Sequence, residues 1–326
     1  MRAILCRKKE TGIFAQTEIL IRCKQATVNP PEEDKIVSLK ATSKCQFYVL
    51  TLSCQDQPGI VASVANAIAQ KCGNIIESSQ FGEESSNVFF MRVKFAALAG
   101  YDHEDFQTDF GTIAKKYAMD WKLHDAKQKT KTIIMVSKTD HCLNDLIYRT
   151  QTGTLPIEIT RIVSNHKKLE PIATHNHIPF THLPITKENK TQQEAALHEV
   201  RAQDKAELII LARYMQVLSD KFSTEHFGHI INIHHSFLPG FKGAKPYHRA
   251  HERGVKLIGA TAHYVTPELD EGPIIEQETE RVTHAMAVAD LIAAGRDIER
   301  RVLARAVKYH TEHRVLLNGR RTVVFS

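Results

Sequence analysis

The sequence predicts an α/β protein with two sheets, a ferredoxin-like βαββαβ domain followed by a doubly wound, mainly parallel sheet. Three observations predict it. Between residues 47 and 123 the hydrophobic period alternates between two and 3.6 in the order strand, helix, strand, strand, helix, strand. From residue 132 onward, short apolar runs alternate with stretches of helical spacing, as in a sheet covered by helices on both faces. One of these runs, 230–233, ends in a polar cluster of Asn232, His234, His235 and Ser236. Such sheets place their active sites at strand carboxyl ends.

Residues 1–43 show no sustained period. They carry Arg2, Arg7, Lys8 and Lys9, then Pro30-Pro31 and the acidic triplet Glu32, Glu33, Asp34, and are expected to be a poorly ordered extension. Glu10 and Glu18 argue against a transit peptide, which is poor in acids. In the first domain, 44–126, strands are expected at 47–53, 75–81, 88–95 and 119–123 and helices at 60–71 and 106–117. Asp56-Gln57-Pro58-Gly59 is turn chemistry before the first helix. A polar linker, 124–131, leads into the second domain, 127–326. Strands are expected there at 132–136, 157–163, 180–183, 208–211, 230–233, 257–265, 273–282 and 322–325. Helices are expected from 141, across 191–202 and across 287–312.

Composition narrows the function. A chain of 326 residues has room for two domains. The net charge of +6 comes without a long basic run. Arg296, Arg300, Arg301 and Arg305 are interleaved with Asp297 and Glu299, which reads as a solvated helix face rather than a nucleic-acid footprint. No apolar run approaches the ~20 residues of a membrane span. Neither nucleic acid nor membrane is therefore expected as a partner, and a mildly basic surface favours an anionic small molecule. The six scattered cysteines and the lack of a secretory signal point to a reducing, cytoplasmic setting.

The chemistry is concentrated between 230 and 275. Asn232 and His234, two apart on a strand, project to one face, while His235 points the other way. An amide donor beside an imidazole is an oxyanion-stabilising pair suited to acyl chemistry. It needs a carboxylate, and the loop bracketed by Pro267 and Gly272 offers Glu268, Asp270 and Glu271. The histidines at 226, 229, 234, 235, 248, 251 and 263 form no zinc motif, so no metal is expected.

Family resemblances add to this. The turn "DQPGI" within βαββαβ resembles an ACT domain. That resemblance implies a small amino-acid effector, with glycine or methionine as candidates, bound at Asp56, Gly59 and Ile60, and a homo-oligomer. Asp56 could equally cap the helix. The phrase "INIHHSFLPGFKGAKPYHRA" followed by "GATAHYVTPELDEGPII" resembles the formyltransferase domain of folate-dependent enzymes over about 130–326. With the preceding domain, and with "HNHIPFTHLPITKENKTQQE" and the ending "GRDIERRVLARAVKYHTEHRVLLNGRRTVVF", the chain is similar to the formyltetrahydrofolate deformylase family.

The family resemblance implies hydrolysis of 10-formyltetrahydrofolate to tetrahydrofolate and formate, which serves purine synthesis, with no bound cofactor. It implies a catalytic triad of Asn232, His234 and Asp270. Arg213, Tyr214, Met215, His263 and Thr266 would bind the substrate, and Lys242, Lys245 and Arg249 would meet its glutamate tail. The loop 137–142 contains no glycine, and Asp140 puts a negative charge where a phosphate would sit. Phosphate cradles need close backbone approach, so a phosphorylated acceptor is disfavoured and water is left. A formyltransferase using a non-phosphorylated acceptor, or a non-catalytic amino-acid and folate sensor, remain as alternatives.

Overall fold

In the computed structural model, residues 46–186, 188–238 and 246–326 are described. The extension 1–43 and the two loop lysines Lys242 and Lys245 lie outside them. The first sheet contains β1 (Gln46–Gln55), β2 (Gly73–Glu83), β3 (Val88–Ala97) and β4 (Asp120–Asp125), in the order β2-β3-β1-β4. Helices α1 (Ile60–Gln70) and α2 (His103–Lys116) pack on it. This is the βαββαβ arrangement the periodicity predicts. Helix α2 starts three residues earlier than its apolar spacing, because the Asp102 side chain accepts the Asp105 N–H as an N-cap.

The second sheet has seven strands in the order β11-β10-β9-β8-β5-β6-β7. They are β5 (Thr130–Val136), β6 (Ile157–Ser164), β7 (Phe180–His182), β8 (Leu208–Leu211), β9 (Ile230–His234), β10 (Leu257–Tyr264) and β11 (Ile274–Arg281). The helices are α3 (His141–Gln151), α4 (Glu170–His175), α5 (Lys190–Asp204), α6 (Asp220–Glu225), α7 (Pro246–Arg253) and α8 (Val288–Thr311). Alternate residues of the central strands enter two cores. Ile134, Ile210, Ile231 and Ile233 face one with α3 and α8, while Ile133, Ile209, Leu211 and Ile230 face the other with Leu197 of α5 and Phe222 of α6. Burial on both faces explains why these strands read as continuous apolar runs.

Strands β5 to β9 pair in parallel, but β10 runs antiparallel to both β9 and β11. The sheet is therefore mixed. Among its described residues the connection from β9 to β10 contains the eight-residue α7, and β10 returns directly beside β9 in the opposite direction. The single strand expected at 322–325 is half of a hairpin, β12 (Val315–Asn318) with β13 (Arg321–Val324). Short α4, α6 and α7 had too few turns to show a helical period. Among the described residues no helix is long and apolar enough to cross a membrane.

Candidate active site

A cavity of about 540 Å³ opens at the carboxyl ends of β5, β8 and β9. Its walls come from Thr139 and His141, from the segment 213–218, from Asn232 to His235, and from the loop 265–270. The switch from parallel to antiparallel pairing at β9 and β10 decides how the last two walls meet.

In the register of β9 and β10, His263 lies opposite Asn232 and Thr261 opposite His234, so all four side chains share one face. Because β10 runs the other way, its carboxyl end lies beside the start of β9. The loop after it must double back by about 13 Å to reach His234, counting four residues at strand rise. It does so through Asp270, which takes φ +59°, and Gly272, where a Cβ would stand 1.7 Å from the Tyr264 carbonyl oxygen. Thr266 Oγ1 donates to the Glu268 carbonyl at 3.0 Å and closes the turn.

This fold-back brings Asp270 Oδ1 to 3.2 Å from His234 Nδ1 and 3.8 Å from His263 Nε2. The carboxylate requires a donor, so His234 carries its proton on Nδ1 and its Nε2 faces Ser236 Oγ at 2.8 Å. Burial raises the Asp270 carboxyl, but the hydrogen bond from His234 and the adjacent imidazoles outweigh it, leaving the pKa below the ordinary value. Glu268 and Glu271 of the same loop are exposed.

His263 is tied at both ring nitrogens. Nδ1 donates to the Tyr264 carbonyl at 2.8 Å, so Nε2 is the acceptor for Asn232 Nδ2 at 3.2 Å. Burial lowers the His263 pKa and keeps that tautomer neutral. One amide hydrogen of Asn232 is thereby used, and the Asn232 nitrogen keeps a second donor on the cavity side. His263, which the family resemblance implied as a substrate-binding residue, lines the cavity and holds Asn232 in place. His235 is pushed down to about 4, first by burial and then by Arg213.

The other expected substrate residues divide. Arg213, Tyr214 and Met215 all line the cavity, but Met215 is 58% exposed, whereas Tyr214 is also packed into the core that holds Leu211 and Phe222. Met215 N–H donates to Ser137 Oγ at 3.0 Å, and that hydroxyl donates in turn to Asn165 Oδ1 at 2.7 Å. Arg213, in a left-handed turn at φ +64°, has Nε 3.3 Å from Glu299 Oε2. From α7, Tyr247 and His248 line the cavity and Arg249 does not.

Glu299 was expected on a solvated face, and that expectation is wrong. It is 1% exposed and lies on the buried stripe of α8 with Gly295, Ile298 and Val302, while Asp297, Arg300, Arg301 and Arg305 are on the surface. The readable signal was a carboxylate at an i, i+3, i+4 apolar position. His141, Cys142 and Glu299 place possible ligand atoms within 4.8 Å of one another, but Arg213 already neutralises that carboxylate.

In the first sheet, Gly59 is the N-cap of α1 at φ +93° with no side-chain cap, so Asp56 does not cap this helix. Ile60 is 2% exposed and its side chain belongs to the core of this sheet.

A formyl transferase family profile matches residues 130–307. A formyltetrahydrofolate deformylase of Corynebacterium sp. (strain P-1) is 50% identical over 278 residues, covering 85% of this chain and 97% of that protein. The crystal structure of a Burkholderia mallei formyltetrahydrofolate deformylase superposes with a TM-score of 0.83 at 50% identity, covering 86% and 100% of the two chains. The chain belongs to the formyltetrahydrofolate deformylase family. A glycinamide ribonucleotide transformylase from Symbiobacterium toebii is more distant, at 28% identity and a TM-score of 0.56 over 61% of this chain and 95% of its own. The deformylase relatives thus match a larger share of this chain than the transformylase does.

Proposed function

We propose that this chain hydrolyses 10-formyltetrahydrofolate to tetrahydrofolate and formate, with Asn232, His234 and Asp270 as its catalytic residues. One observation carries the reading. An amide donor, an imidazole and a carboxylate held ionised at neutral pH converge on one cavity wall, with 3.2 Å between His234 and Asp270. Water attacks the formyl carbon and a carbon–oxygen bond forms. Asn232 donates to the developing oxyanion, and His234 stabilises it. Asp270, held by His234 Nδ1, orients the water, takes one proton from it as the carbon–oxygen bond forms, and passes that proton to the folate nitrogen as the carbon–nitrogen bond breaks. Formate released this way serves one-carbon balance and purine synthesis.

The same reading assigns 1–43 to an extension, 44–126 to a regulatory ACT domain and 127–326 to the catalytic domain. The left-handed Gly59 supports an amino-acid effector, glycine or methionine, because it leaves the first turn of α1 without a side-chain cap. Pairing of two or more copies through this domain is part of the proposal. So is a cytoplasmic setting, which the free thiols Cys54, Cys72 and Cys142 support.

The test is to incubate the purified chain with 10-formyltetrahydrofolate and no acceptor, with and without glycine or methionine, and to follow formate. Formate is expected in stoichiometric amount with tetrahydrofolate. Turnover that requires an added amine would replace hydrolysis by transfer, and a rate unchanged by either amino acid would remove the effector.

A further inference from the structure

The cavity holds a second carboxylate besides Asp270, and hydrolysis as described gives it no task. Glu299 is as buried as any core residue, yet both its oxygens are engaged. Oε1 accepts from Tyr247 Oη at 2.7 Å, and Oε2 accepts from His141 Nε2 at 2.8 Å. Arg213 Nε is 3.3 Å from Oε2, close as a charge but without an aligned N–H···O bond.

These contacts have different jobs. Tyr247 anchors α7. Its ring lies against Gly295, one turn before Glu299 on α8, where a Cβ would come within 2.1 Å of the ring. Packing of this kind needs a hydrogen-bond acceptor for the hydroxyl and not a full negative charge. Arg213 is the contact that needs the charge. It begins the strip 213–215, which forms one wall of the cavity and is fixed at its other end by the bond from Met215 N–H to Ser137 Oγ. Ser137 is 2% exposed and is itself bonded to Asn165. The strip is therefore held by a hydroxyl at Met215 and by a carboxylate at Arg213, across a left-handed turn that few residues other than glycine adopt readily.

We propose that Glu299 is a positioning residue for this hydrolysis, acting through Arg213 to fix the substrate wall 213–215 relative to Asn232 and His234. The inference rests on the hydrolase reading, and formate release by the unaltered chain is the control that separates failure of the one from failure of the other. A charge with this duty affects how the folate is held more than the chemical step, so it moves KM and leaves kcat.

The experiment compares Glu299→Gln with Tyr247→Phe in the full chain. The amide keeps the shape and can still accept from Tyr247, but it removes the charge that holds Arg213. The phenylalanine removes one hydrogen bond and leaves the charge. Glu299→Gln is expected to raise KM for 10-formyltetrahydrofolate about tenfold with kcat within about threefold. Tyr247→Phe is expected to lower Tm more than Glu299→Gln does and to raise KM by less. Adding Glu299→Gln to Arg213→Gln is expected to change KM no further than Arg213→Gln alone. If Glu299→Gln does not fold, Glu299→Asp keeps the charge but draws it back by one methylene, and a smaller rise in KM is expected. The proposal is overturned by a wild-type KM in whichever Glu299 variant folds, by KM and Tm moving in equal proportion in Glu299→Gln and Tyr247→Phe, or by additive effects on KM in the double variant.

Discussion

At the scale of single residues, the site is a set of hydrogen bonds whose directions are fixed by burial. The Tyr264 carbonyl can only accept, so His263 has its proton on Nδ1, and Asn232 is the donor toward Nε2. The Asn232 amide is thereby oriented with its nitrogen toward the cavity before any substrate arrives, and pre-orientation of this kind makes an oxyanion donor effective. Loss of one such donor costs about 2.7–4 kcal/mol of transition-state stabilisation, or about 10²–10³ in kcat. Asn232→Ala is expected to lose that much turnover while binding folate nearly as well, which a formate assay and a titration of bound folate read separately. A kcat within about threefold of the unaltered chain would remove Asn232 from the chemistry. The approach of Asn232 and His234 was legible in the sequence because strand alternation puts them on one face; the acidic loop offered Glu268, Asp270 and Glu271 alike, and the family resemblance pointed to Asp270, which the fold brings to His234. Glu299 was not legible, because alternating charges around it resemble a solvated helix. Nor was the tie between Ser137 and Met215, which are 78 residues apart and meet only through the β5–β8 pairing.

At the scale of elements, the decisive feature is the reversed strand β10. A wholly parallel sheet would carry the acidic loop to the same edge as Asn232 and His234 without further effort. The antiparallel register puts the end of β10 beside Ile231 and leaves the loop to fold back over the strands. Sequence periodicity shows that a strand exists but not which way it runs, so this part of the site could not be read in advance. What the sequence did contain was Gly272, which first read only as the boundary of a turn. Its backbone passes so close to the Tyr264 carbonyl that any side chain displaces the loop. Gly272→Ala is therefore expected to act on catalysis by moving Asp270 from His234, with kcat reduced at least about tenfold, since a shift of about 1 Å can cost 10²-fold. The central strands do not depend on that loop, so far-ultraviolet circular dichroism should be unchanged. Full activity in this variant would mean that the loop can reach His234 by another path.

At the scale of the molecule, α8 links the cavity to the first sheet. Glu299 lies in its middle and Glu312 at its carboxyl end, about 20 Å further along at helical rise. There Arg92 of β3, its side chain 3% exposed, donates from Nε and Nη2 to the Glu312 carbonyl at 3.2 and 3.1 Å and from Nη1 to Glu77 at 3.0 Å. A residue of the first sheet thus satisfies a carbonyl that the end of α8 leaves open. Beside it the rings of His124, from β4, and His313 stack at 3.5 Å, and His310 Nδ1 pairs with the Tyr264 hydroxyl at 2.7 Å. Burial is the main reason that His124 and His310 are lowered to about 4 and His313 to about 3, and Lys122 adds its positive field to each of the three. His229 adds to the lowering at His310, and Arg92 to that at His313. The unfolded chain takes up protons at these rings near pH 6.5, whereas the folded chain refuses them until pH 4 or below. Their contribution to stability is therefore complete above pH 6.5 and is lost as pH falls from there toward 4 and 3, with a slope of at most about 1.4 kcal/mol per pH unit for each ring. Thermal unfolding between pH 7 and 5 should show a falling Tm well before the ordinary carboxylates titrate. His313→Asn removes one of these rings at φ +53°, a left-handed position that asparagine tolerates. This variant is expected to lose less stability per pH unit than the unaltered chain, and equal slopes for the two would show that the stacked histidines do not govern the acid response of this interface.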